Sequence, residues 1–97
     1  MNIIQMEIEE LKPYSRNNKK HSEKQIQKVA NSIKEFGWQQ PIVCDKEKIV
    51  IIGHCRLEAA KKLGIKKVPV LLSDKLSKQQ IKAIRLADNK LSDLAIS

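Results

Sequence analysis

Apolar and polar residues alternate over the first positions of the chain, with Ile4, Met6 and Ile8 set against Gln5, Glu7 and Glu9. A period of two belongs to a strand with one face buried. Pro13 and the Asn17-Asn18 pair then predict a turn-rich loop over 12–18. Ser22 followed by Gln25 makes a capping box, and behind it Ile26, Val29, Ala30, Ile33 and Phe36 fall on one helical face. A first helix is expected from about 22 to 36, with Gly37 suited to its C-terminal cap.

Two short apolar runs follow, Pro41 to Cys44 and Lys48 to Ile52, separated by a charged Asp45-Lys46-Glu47 of hairpin-loop length. Gly53 ends the second run. Arg56 to Lys62 reads as a helix rich in Ala, Leu and Lys that stops at Gly64. Val68 to Leu72 reads as a further strand, in which Pro69 points to an edge position or to the strand's beginning. Ser77 and Gln80 form a second capping box that opens a last helix through Ile81, Ile84, Ala87 and Leu91. The order is β-α-β-β-α-β-α, an α+β arrangement with a small mixed sheet and about three helices.

A chain of 97 residues supports one core, so 1–97 is read as a single domain and a large multi-domain enzyme is excluded. The abrupt ending Leu94-Ala95-Ile96-Ser97 leaves open that it is a fragment of a longer protein. The longest aliphatic run, Ile49 to Ile52, falls far short of the ~18 residues of a membrane-spanning helix, so no membrane association is expected. Met1 to Gln5 has no secretion-signal character, and a cytoplasmic location follows by default. Cys44 and Cys55 are read as reduced thiols, Cys44 as a small core residue. With only His21 and His54 and no Cys-x-x-Cys pair, no metal site is expected.

The formal charge is +8 and is uneven. Lys12, Arg16, Lys19, Lys20, Lys24, Lys28 and Lys34 face Glu23 alone between positions 12 and 34, a concentration that attracts phosphate-bearing partners such as DNA and otherwise reads as a solvated lysine-rich surface. With only Tyr14, Phe36 and Trp38, a stacking platform for single strands has little to build with.

Three places carry candidate chemistry. At Gly53-His54-Cys55-Arg56 a buried strand feeds through one glycine into a helix, and unpaired amides, the helix dipole and an arginine fork together suit a phosphate. The competing reading is an ordinary strand-to-helix turn whose Arg56 pairs with a surface carboxylate. The loop Gly37-Trp38-Gln39-Gln40-Pro41 offers glutamine amides that both donate and accept, as base-edge recognition requires. It also reads as a capped helix end with Trp38 covering the core. In the last helix Asp88 shares a face with Ile81, Ile84 and Leu91, which suits either a pocket or an ion pair with Arg85, and Asn89 could hydrogen-bond at the same place. His54 and Cys55 adjoin, but neighbours on a helix point about 100° apart, so no Cys-His pair is assured.

At these places the chain resembles the ParB/sulfiredoxin superfamily, in particular the nuclease-like, ParB-like N-terminal domains of phages and mobile elements. The matching stretches are Leu11 to Tyr14, Phe36 to Val43, Ile52 to Ala60, Leu63 to Val70 and Ala87 to Leu91, in the family's order. In the chromosome-partitioning members the corresponding motifs surround cytidine triphosphate. The resemblance therefore implies a nucleotide pocket lined by Gly37, Gln40 and Pro41, then Gly53, His54 and Arg56, then Asp88 and Asn89. It implies a nucleoside triphosphate, CTP or ATP, as ligand, with or without Mg2+. DNA, held by Arg16, Lys19, Lys20, Lys24 and Lys28, or a DNA-modifying protein is the partner expected, and a homodimer is open to it.

Partitioning proteins usually show Gly-Glu-Arg-Arg-x-Arg where this chain has Gly53-His54-Cys55-Arg56-Leu57-Glu58, so two of three arginines are absent. Sulfiredoxins carry their reactive cysteine two residues before the motif arginine, whereas Cys55 stands directly before Arg56, which argues against sulfiredoxin activity. Two alternatives to a nucleotide-binding domain stay open. One is an NTPase, kinase or nuclease with Asp88 or His54 as acid or base. The other is a degenerate domain kept for protein contacts.

Overall fold

The computed structural model describes residues 3–14 and 21–94, with 88–94 described through their backbone alone. The elements, in chain order, are β1 (Ile3–Glu7), a single 3-10 turn (Ile8–Glu10), α1 (Glu23–Phe36), β2 (Ile42–Asp45), β3 (Val50–Ile52), α2 (His54–Lys62), β4 (Lys67–Ser73) and α3 (Lys78–Leu94). The strands form one mixed sheet in the order β1-β4-β2-β3. β4 runs antiparallel to β1 and parallel to β2, and β3 returns antiparallel beside β2. This is the α+β arrangement of a small mixed sheet and three helices that the pattern predicts.

Both capping boxes form. The amide of Gln25 donates to Ser22 Oγ at 3.1 Å, fixing the start of α1. At α3 the box closes on both sides, with Gln80 N–H donating to Ser77 Oγ and Ser77 N–H donating to Gln80 Oε1. Alternation along the strands puts Ile42, Cys44, Val68 and Val70 fully inside, together with Leu57 and Ala60 of α2. On the far side of α2, Ala59 meets Ile26 and Ala30 of α1, where the alanines let the helices approach closely. The layers are thus sheet, α2, then α1, while α3 packs against β3.

The structure shifts several expected boundaries. β1 stops at Glu7, because Ile8 turns its amide to the Lys66 carbonyl at 2.8 Å and enters the 3-10 turn. Ile4 is half out in solvent because β1 is an edge strand. β3 begins at Val50, not at Lys48. Lys48 takes φ 67 to close the hairpin, its amide bonded to the Asp45 carbonyl, while Asp45 Oδ1 accepts from the amides of Glu47 and Ile49. α2 begins at His54, two residues earlier than expected. Pro69 lies neither at an edge nor at a strand's first residue: β4 sits between β1 and β2. It is tolerated because the ladder with β2 starts one residue later, at Val70 opposite Ile42.

Candidate nucleotide site

The turn between β3 and α2 is set by Gly53, whose φ of 101° and ψ of 27° lie in the left-handed region. An added Cβ would just touch Ile42 at 3.4 Å, so torsion more than space requires glycine. Lacking a side chain, Gly53 supplies no cap, and no acidic residue stands in the first turn of α2. The first turn itself therefore offers the positive end of the helix dipole no counter-charge.

Arg56, in that first turn, donates through Nη2 to Gln40 Oε1 at 2.8 Å. Among the described residues its partner is thus the glutamine of the loop before β2, not a carboxylate. Gln40 spends its acceptor on the guanidinium and keeps its amide protons as donors. The same loop leaves α1 through Gly37, at φ 76, and is pinned by Gln39 Nε2 donating to the Phe36 carbonyl at 3.0 Å. Trp38 is half-buried against the core, so the loop serves packing and presentation at once. Pro41, half-buried, leads into β2.

His54 accepts at Nε2 from the backbone N–H of Tyr14, at 3.2 Å. That bond requires a neutral ring with its proton on Nδ1. Burial lowers the imidazole pKa to about 4, helped by the nearby charges of His21 and Arg85. At neutral pH His54 is therefore an acceptor that fastens residues 12–14 to the start of α2. Lys12 completes the fastening by exchanging backbone hydrogen bonds with β3 and its flank, from its amide to the Lys48 carbonyl and from the Val50 amide to its own carbonyl.

Cys55 packs into the cluster between α1 and α2, and burial raises its thiol pKa, the opposite of an activated nucleophile. Cys44 is fully buried in β2, its thiol pushed up to about 11 by desolvation.

Arg85 is the functional candidate that sequence reasoning placed only as an ion-pair partner. Its Nη2 donates to the Val50 carbonyl at 3.1 Å and its guanidinium lies 3.8 Å above the Tyr14 ring. Asp88 and Asn89 follow it on α3, but their side chains lie outside the described residues. So do Arg16, Lys19 and Lys20, while Lys24 and Lys28 stand on the exposed side of α1. Among the described residues, no group of three or more His, Cys, Asp and Glu could hold a metal ion, and no helix is long and apolar enough to cross a membrane.

Residues 1–90 match the family model of the ParB N-terminal domain. The chain belongs to the ParB N-terminal domain family. It is 36% identical over 80 residues to the ParB-like nuclease domain-containing protein YnaK of Escherichia coli, covering 82% of this chain and 92% of that one. The fold is shared with the chromosome-partitioning protein ParB of Caulobacter crescentus, solved complexed with CTP-gamma-S (TM-score 0.80, 24% identity, 92% of this chain and 53% of that one). The same protein complexed to the centromeric parS site superposes with a TM-score of 0.73 at 22% identity, over 89% of this chain and 46% of that one. Sulfiredoxin of Arabidopsis thaliana has a TM-score of 0.72 at 18% identity, over 87% of this chain and 97% of that one. The ParB N-terminal domain family thus places the chain within the ParB/sulfiredoxin superfamily, and about half of the Caulobacter protein lies outside the match.

Proposed function

We propose that this ParB N-terminal domain binds a nucleoside triphosphate, CTP in the first instance, at the N-terminus of α2, and associates with DNA. The observation that carries the reading is the uncapped opening of α2, without a first-turn carboxylate, beside an Arg56 held forward by Gln40. Amides at Gly53 to Arg56, the dipole and the guanidinium would share the phosphate charge. Gly37, Gln40 and Pro41 of the loop before β2 would line the same pocket, and the family resemblance adds Asp88 and Asn89 of α3 to it. A Caulobacter relative of the same fold was solved with a CTP analogue, which supports this ligand class.

The DNA contact is assigned to the basic stretch Arg16, Lys19, Lys20, Lys24 and Lys28, on the support of its charge and of the relative solved on parS. Mg2+ would travel with the phosphates, and a homodimer would pair two such basic stretches on one duplex.

The test is thermal melting with CTP, CDP, CMP and ATP, each with and without Mg2+, on the wild-type chain and on Arg56→Ala. Binding of the folded state must raise the midpoint. The expected result is a rise with CTP that Arg56→Ala abolishes while melting stays cooperative. An unchanged response in that variant would remove α2 from the site.

A further inference from the structure

Two arginines are connected to the start of α2, and only one of them belongs to the Gly53–Arg56 turn. Arg56 reaches across to Gln40. Arg85 comes from α3 and is tied to the same turn through Tyr14, which stacks under its guanidinium and donates its amide to His54. Arg85 is also close enough for its charge to depress ionisation of His54. Its Nη2 is used by the Val50 carbonyl, a neutral acceptor. Its Nε is buried without a hydrogen-bond partner, and among the described residues no carboxylate forms a salt bridge with it. Among the described residues its charge thus meets no carboxylate and its Nε–H no acceptor, a costly arrangement that an anion arriving beside it would relieve.

Arg56 is the one arginine or lysine of the Gly53–Arg56 turn, and a guanidinium from α3 would add charge from another direction. Resting on the nucleotide reading above, we infer that Arg85 is a second anion-binding arginine of the α2 site, taking terminal phosphate oxygens that Arg56 does not reach. Tyr14 then acts as its platform, holding the planar fork while the carbonyl of Val50 fixes its rotation.

Calorimetric titration with CTP, CDP, CMP and inorganic tripolyphosphate tests this on the wild-type chain, Arg85→Gln, Arg85→Lys and Tyr14→Leu, with urea unfolding of each ligand-free protein measured alongside. Arg85→Gln should weaken CTP and tripolyphosphate about tenfold or more and leave CMP within about twofold. Arg85→Lys should recover part of the loss, and Tyr14→Leu, which removes the platform but keeps the guanidinium, should lower the preference for CTP over CMP less than Arg85→Gln does. Equal losses for all ligands, or Tyr14→Leu losing that preference as completely as Arg85→Gln, would make Arg85 a structural clasp and overturn the assignment. Wild-type affinity retained in Arg85→Gln overturns it too, whereas a wild-type chain that binds none of the four ligands sinks the nucleotide reading itself.

Discussion

Arg56 donates to Gln40 across sixteen residues of sequence, at 2.8 Å, and this bond joins the loop after α1 to the first turn of α2. Gln40 is exposed, so the bond contributes little to stability but fixes where the guanidinium points. Gln40→Ala should therefore leave the urea midpoint within about 0.5 kcal/mol of wild type and weaken CTP roughly three- to tenfold, a loss on the order of 1 kcal/mol for an orienting hydrogen bond. Gln40→Glu should bind more weakly still, because its carboxylate would neutralise Arg56 and repel phosphate. Titrations of the two variants check the ordering. Tighter CTP binding by Gln40→Glu would show that Gln40 does not act through Arg56.

His54 provides a pH signature. In the folded chain its pKa lies near 4, below the ordinary value of 6.5, because the ring is partly buried and accepts from the Tyr14 amide. Between those two values the unfolded chain binds the proton and the folded chain does not. The contribution of the neutral ring is thus complete above about pH 6.5, declines as pH falls, and is gone below about pH 4. With solvent screening of a half-exposed ring, the loss should be about 1–2 kcal/mol. Urea unfolding of wild type and His54→Gln across pH 4–7 isolates it, since the carboxylates common to both proteins cancel. The stability difference between them should shrink on acidification. A difference independent of pH would mean that His54 is not held neutral.

Much of this was legible in the sequence, and the exceptions share a cause. Helix starts marked by side-chain caps, Ser22 and Ser77, were found because capping acts over three residues. The start of α2 was placed two residues late because its N-cap is a left-handed glycine with no capping side chain to read. Pro69 was sent to an edge because strand order is a property of the whole sheet, and a proline is admitted wherever a ladder begins. The Gly53–Arg56 turn could be recognised from adjacent residues. Arg85 could not be placed, since its neighbour in sequence, Asp88, offered a nearby partner while Val50 and Tyr14 lie far away along the chain.

The glycines of the site separate torsion from contact. Gly37 and Gly53 both sit at positive φ, 76° and 101°. A Cβ at Gly37 would meet nothing within 4 Å, whereas at Gly53 it would touch Ile42, which is fully buried in the centre of the sheet. Gly37, at φ 76 and ψ −169, lies in a region essentially reserved for glycine, so Gly37→Ala should cost about 1–3 kcal/mol through torsion alone. Gly53, at φ 101 and ψ 27, lies nearer the left-handed helical region, and its added Cβ would reach only ordinary contact with Ile42 at 3.4 Å, so Gly53→Ala should cost about 1–2 kcal/mol. Gly53 also shapes the amide-lined opening of α2, so its variant should lose CTP binding even at temperatures where it remains folded. Urea midpoints and titrations on the two variants decide this. A smaller loss of stability in Gly37→Ala than in Gly53→Ala would show that contact with Ile42, not torsion, sets the cost, and wild-type CTP affinity in folded Gly53→Ala would show that the amide geometry of this turn does not hold the phosphates.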